Sequence, residues 1–156
     1  MKFILLNCAS ASEKWAEQSA ALYHKKINHF VGFEIKEAKA KKSSRDDREF
    51  KIRSDSDSLL NEIESEDFVI LFDESGEGLD SRQFSQKLNQ ILISSKRRAV
   101  FVIGGAYGVD DRIRQRANLR LSFSKMVMNH LVAQLVAMEQ IYRGLTLLKN
   151  IPYHND

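Results

Sequence analysis

Short apolar runs alternate along the chain with stretches whose apolar residues recur at helical spacing. Phe3 to Leu6, Phe33 to Ile35, Asp67 to Asp73, Ala99 to Ile103 and Leu119 to Phe123 read as strands. Trp15, Ala16, Ala20, Leu22 and Tyr23 predict a helix reaching His24 or Ile27, with Ser10 and Glu13 spaced as a capping box. A second helix ends over Leu59 to Ile63. A third runs from Ser81 to Ile93, with Phe84, Leu88 and Ile91 on one face and Asp80 or Ser81 as its cap. Asp110 to Arg116 predicts a short helix with acids first and bases last, the order that suits its dipole. The longest helix is expected over Asn129 to Leu148, where Leu131, Leu135, Met138, Tyr142 and Leu145 follow the 3.6 period.

The strand cores are apolar without alternation, as in strands covered on both faces. Strand and helix alternate, so the expected fold class is α/β, a parallel sheet with helices on both faces. At 156 residues, with one proline and seven glycines, the chain reads as a single domain over 1–156 without a long flexible linker.

Candidate chemistry begins where strands end. The run Ala99-Val100-Phe101-Val102-Ile103 breaks into Gly104-Gly105-Ala106-Tyr107-Gly108. Glycines there either let backbone amides approach a ligand or make a tight strand-to-helix turn. Their spacing matches neither the dinucleotide fingerprint nor the Walker loop. Glu74-Ser75-Gly76-Glu77-Gly78 reads as the turn after the third strand, and Ser122-Phe123-Ser124 leaves the fifth. Carboxyl ends of neighbouring strands in an open parallel sheet share a crevice, so three such exits point to one ligand pocket.

Composition changes this picture at a few points. A 43% hydrophobic and 29% charged chain is ordinary for a soluble globular protein. The lone Cys8 leaves no partner for an intrachain disulfide and excludes a cysteine-rich zinc site, so a reducing cytoplasm is the expected compartment. The first residues turn polar too early for a signal peptide, and no run approaches the ~20 apolar residues of a membrane span. A formal charge of +3 permits a polyanionic partner. Lys39, Lys41, Lys42, Arg45, Arg48, Lys51 and Arg53 are interleaved with serines and acids. That stretch is either a solvated loop leading into a helix or a basic arm that meets phosphate.

In the last helix, Glu139 and Arg143 stand at i, i+4 and fit a helix ion pair, while His130 fits a polar residue at the helix N-terminus. No histidine pair has metal-ligand spacing, so no metal is expected, and no nucleophile elbow occurs. Tyr153 and His154 read as an inert tail, or as an aromatic and an imidazole that stack on a base and handle a proton.

Four separated motifs carry a more specific signal. They are Phe101-Val102-Ile103-Gly104-Gly105-Ala106-Tyr107-Gly108; Leu121-Ser122-Phe123-Ser124-Lys125-Met126 with His130; Glu139-Gln140-Ile141-Tyr142-Arg143-Gly144; and Pro152-Tyr153-His154. In that order and spacing they closely resemble the RlmH family of SPOUT-class methyltransferases, and the likeness covers the whole chain. The resemblance implies an α/β fold with a C-terminal trefoil knot, working as a cytoplasmic homodimer. It implies S-adenosyl-L-methionine as cofactor and methylation of N3 of a pseudouridine in large-subunit (23S) ribosomal RNA on the assembled ribosome. By position, Phe72, Gly104, Gly105, Phe123, Ser124, Lys125, Met126, Val127 and Met128 would line the cofactor. His130, Tyr142, Arg143, Tyr153 and His154 would face the RNA or the reacting base, with His154 as a proton acceptor. Lys96, Arg97, Arg98, Arg112, Arg114, Arg116 and Lys125 are candidate phosphate contacts. The sequence departs from the family pattern at Asn7-Cys8-Ala9, at Asn129 where proline is common, at Gln134 where arginine is expected, and at the Asn155-Asp156 ending. The alternatives are a SPOUT methyltransferase with another RNA target and a non-catalytic RNA- or ribosome-binding protein of the same fold.

Overall fold

The computed structural model describes residues 1–8, 13–39 and 47–155. Among them, β1 (Lys2–Cys8), α1 (Lys14–Asn28), β2 (Gly32–Ala38), α2 (Arg48–Glu62) and β3 (Phe68–Gly78) make the first half. The second half is α3 (Ser81–Leu92), β4 (Arg98–Ile103), α4 (Asp111–Arg116), β5 (Leu119–Ser122) and α5 (His130–Leu148). The five strands form one sheet in the order β2-β1-β4-β3-β5, parallel at every pairing.

Both faces of the sheet are covered, which accounts for strands without alternation. Phe3, Leu5, Ile70, Phe72, Ala99, Phe101 and Ile103 pack on one face with Ile27 of α1, Leu88 of α3 and Met138 and Ile141 of α5. The opposite pleats, Ile4, Leu6, Val69, Leu71, Val100 and Val102, pack on Leu59 of α2 and Ile113 of α4. Capping follows local chemistry. Asp80 and Gln83 form a reciprocal capping box on α3, and Asp47, Asp110 and Asn129 cap α2, α4 and α5 through their side chains. Asn129 accepts from the Leu131 amide at 2.8 Å.

Several expectations change. Residues 74–78 are not a free turn: β3 continues through them and pairs again with β5, so Phe72 and Glu77 both sit opposite Leu121. Gly76 permits this approach, since a Cβ there would lie 2.6 Å from the backbone of Leu121. Trp15 and Leu22 of α1 are exposed, and Ile27 is the buried residue of that helix. Glu13 sits at the N-cap of α1 without a side-chain cap bond, while Ser10 of the expected capping box lies outside the described residues. So do Lys41, Lys42 and Arg45 of the basic stretch, whose later part, Arg48, Lys51 and Arg53, is the start of α2.

Most of the candidate phosphate-binding bases are committed within the fold. Arg98 pairs with Asp67 and Glu64, and Arg112 with Asp57 and Asp110. Arg114 pairs with Asp73 and Asp111, and Lys96 with Glu66 at 3.6 Å. Arg116 donates to the carbonyls of Glu64, Ser65 and Asp67, holding the turn before β3. Acids and carbonyls brought close in space, together with the neighbouring Asp110 and Asp111, make these arginines structural.

Candidate functional site

The three strand exits meet. A cleft of about 500 Å³ is walled by Phe72, Asp73 and Glu74 after the core of β3, by residues 103–109 after β4, and by Phe123, Ser124, Met126, Val127 and Met128 after β5. That volume is within the range of small-ligand sites. Eight of the nine expected cofactor residues therefore share one cavity; Lys125 is exposed and does not line it. His130, at the first turn of α5, lines the same cleft, and its Nε2 is buried without a hydrogen-bond partner among the described residues.

The glycine loop is a compact turn. Gly108 takes a left-handed φ of 81° and donates its amide to the Gly105 carbonyl at 2.9 Å. A Cβ on Gly104 would meet Val109 Cγ1 at 2.8 Å, and a Cβ on Gly105 would strike the carboxylate of Asp55. Asp55 is almost fully buried beneath the loop and is held by Lys51 Nζ at 2.9 and 3.1 Å. With the Asp110 amide donating to Ser56 Oγ at 3.0 Å and Arg48 lying 5.8 Å from the Tyr107 ring, α2 braces the loop from below. This support was invisible in the sequence, where Ser54-Asp55-Ser56-Asp57-Ser58 carries no apolar periodicity to mark a buried face.

Asp73 is a further cleft residue absent from the expected set. Its Oδ1 accepts from the Ser75 hydroxyl at 2.6 Å and amide at 2.8 Å, and Oδ2 accepts from Arg114 Nε at 3.2 Å. Burial alone would raise this carboxyl, but Ser75 and Arg114 outweigh it and hold Asp73 below its ordinary value.

The other expected residues gather elsewhere. Tyr142, Arg143, Tyr153 and His154 form one cluster where the tail folds back on α5. Arg143 binds Glu139 Oε1 through Nη2 at 2.6 Å and Nε at 3.1 Å, which makes the i, i+4 pair real. Tyr153 donates its hydroxyl to the same oxygen at 3.1 Å and packs edge-on to Tyr142 at 4.8 Å. Arg143 Nη1 lies 3.2 Å from His154 Nδ1. Burial foremost, with the Tyr23 contact and the Glu139 charge, pushes the Tyr153 phenol above its ordinary value, so it stays protonated. Thus the tail is docked, not loose. His154 also lines a second cleft of about 570 Å³, which shares Phe72 and Phe123 with the first. His130 lines the first cleft and not the second.

Comparison with known proteins gives the family. Residues 1–154 match the family model described as "Predicted SPOUT methyltransferase". The chain belongs to the SPOUT methyltransferase family. Among similar proteins, the ribosomal RNA large subunit methyltransferase H of Bdellovibrio bacteriovorus is 55% identical over 99% of both chains. Those of the same name from Syntrophotalea carbinolica and Christiangramia forsetii are 35% and 31% identical, each over 99% of both chains. Membership of this family implies a methyl donor. None of the described helices is long and apolar enough to cross a membrane.

Proposed function

We propose that this protein transfers a methyl group from S-adenosylmethionine to N3 of a pseudouridine in large-subunit ribosomal RNA, on the assembled ribosome, as a cytoplasmic homodimer. The observation that carries this reading is the 55% identity, over 99% of both chains, with a protein named for methylating that RNA. The cleft has features that suit the cofactor: aromatic and thioether side chains for an adenine, the glycine loop of residues 103–109, and Nε2 of His130, which has no hydrogen-bond partner among the described residues. Phe72, Gly104, Gly105, Phe123, Ser124, Met126, Val127 and Met128 would hold it, and Lys125 would sit at the rim. Bound there, the cofactor supplies a methyl already activated on a sulfonium, so the protein's task is in-line positioning and exclusion of water. Tyr142, Arg143, Tyr153 and His154 would meet the target base.

The reading includes a single SPOUT domain over 1–156 whose C-terminal part threads a trefoil knot, against the usual rule for chain connections. It also includes pairing through the first half of α5. That half is apolar yet has no fully buried residue before Ala137; Val132 within it and Met126 and Val127 just before it are exposed.

The test is methyl transfer from labelled S-adenosylmethionine to intact ribosomes lacking the modification, with the product nucleoside identified by mass spectrometry. Label on N3 of a pseudouridine is the expected result. Transfer to another nucleotide, or binding without transfer, would replace it with one of the alternatives.

A further inference from the structure

The basic stretch that opens α2 holds cations that the fold leaves uncommitted. Arg98, Arg112, Arg114 and Arg116 are bound to carboxylates or carbonyls. Arg48, Arg53 and Lys39 have no acid partner among the described residues, and all three are exposed. The acids near them are mostly occupied. Asp47 caps α2, Asp55 is held by Lys51, and Asp57 pairs with Arg112. Among the described residues of the stretch, that leaves Glu49 against three cations.

Their placement matters more than their number. Arg48 lines the first cleft, its guanidinium 5.8 Å from the centre of the Tyr107 ring, which is itself 42% exposed on the glycine loop. A guanidinium held by its face over a ring keeps its N–H groups for an anion in its own plane. Farther along α2, Arg53 and Lys39 line a separate cleft of about 660 Å³ with Phe50, which is 47% exposed. Ser58 donates its hydroxyl to the Lys39 carbonyl at 3.1 Å, which ties the residue after β2 to α2. Unpaired cations interleaved with exposed aromatic rings fit a polynucleotide strand: phosphates meet the cations and bases can stack on the rings.

We propose that Arg48, Arg53 and Lys39 form an RNA-backbone contact leading along α2 to the cofactor cleft, with Arg48 on the phosphate nearest the methyl donor. The identity of the RNA rests on the methyl-transfer reading above. Phosphate recognition then falls to α2, in place of the arginines of β4 and α4 that are engaged within the fold.

The test is binding of full-length protein, dye-labelled at its N-terminus, to intact ribosomes lacking the modification. Fluorescence anisotropy follows binding over a range of KCl concentrations at fixed magnesium. Each phosphate contact contributes about one to the slope of log affinity against log salt. Lys39→Met/Arg48→Met/Arg53→Met should lower that slope by about two to three and weaken binding about a hundredfold at low salt. Arg48→Met alone should lower it by about one, and Arg48→Lys, which keeps the charge, should restore it. All of these variants should bind S-adenosylmethionine as the wild type does. Lys14→Met, which removes an exposed cation from α1 on the opposite face of the sheet, should leave the slope unchanged. An unchanged slope in the triple variant would overturn the inference. So would weakened S-adenosylmethionine binding in Arg48→Met with ribosome binding intact, which would make Arg48 a cofactor contact. Wild-type protein that binds ribosomes with this salt dependence but does not methylate them would count against the proposed function and leave the RNA contact standing.

Discussion

Phe72 and Phe123 stack with ring centroids 4.2 Å apart and planes inclined by 24°, and this pair is the common wall of both clefts. One ring ends the core of β3 and the other follows β5, so the wall depends on β3 and β5 pairing beside it. Phe123→Ala should weaken S-adenosylmethionine binding about tenfold, the scale of a lost aromatic contact, measured by calorimetry. Phe123 is only half-buried, so the variant should remain folded. Unchanged affinity in a folded variant would remove the wall from the site.

A side chain at Gly105 would enter the space of Asp55, below the loop, and not the cleft above it. Gly105→Ala should therefore cost about 1–3 kcal/mol of stability, as overpacking does. Shortening Asp55 in Gly105→Ala/Asp55→Ala should recover part of that loss, measured by urea denaturation. Strict additivity of the two changes would argue against the contact.

Asp73 makes stability depend on acid. Its carboxyl is held below the ordinary value of about 4, so its contribution is full above that pH. As pH falls through the lower native value, the contribution is lost. Asp73→Asn should thus be less stable than wild type at pH 7, with the gap closing below about pH 4. A gap independent of pH would assign the effect to packing.

Cys8 is buried, and burial foremost, with the nearby charge of Asp55, pushes its thiol up to about 12. At pH 8 only about one molecule in ten thousand then carries the reactive thiolate. Iodoacetamide should leave the native protein unmodified over hours and label it rapidly in denaturant. Fast labelling of folded protein would contradict the burial of the end of β1.

Val132 lies exposed on the apolar first half of α5. If that half pairs two chains, Val132→Glu should shift the protein to monomer in sedimentation equilibrium while leaving its circular dichroism unchanged. A wild-type monomer at micromolar concentration would dismiss the dimer.

Strand cores, the buried face of α3 and its cap at Asp80 were legible because each depends on neighbours a few residues away. The face expected for α1 was not, since Trp15 and Leu22 are exposed. The run of residues 99–103 into three glycines likewise marked the cleft, since only a close backbone approach or a tight turn requires that spelling. The family motifs named most of its lining. Contacts between distant segments were not legible. Whether Arg98, Arg112, Arg114 and Arg116 meet phosphate, or instead carboxylates and, for Arg116, backbone carbonyls, depends on which groups the fold brings beside them. The burial of Asp55 depends on α2 lying under the glycine loop, and the continuation of β3 through Gly78 on β5 returning alongside it. His154 lies eleven residues from Arg143 along the chain but 3.2 Å from its guanidinium in space. Local spelling determined the elements and the place of the cleft; only tertiary structure decided which polar groups were paired, because pairing is a property of distance in space and not along the chain.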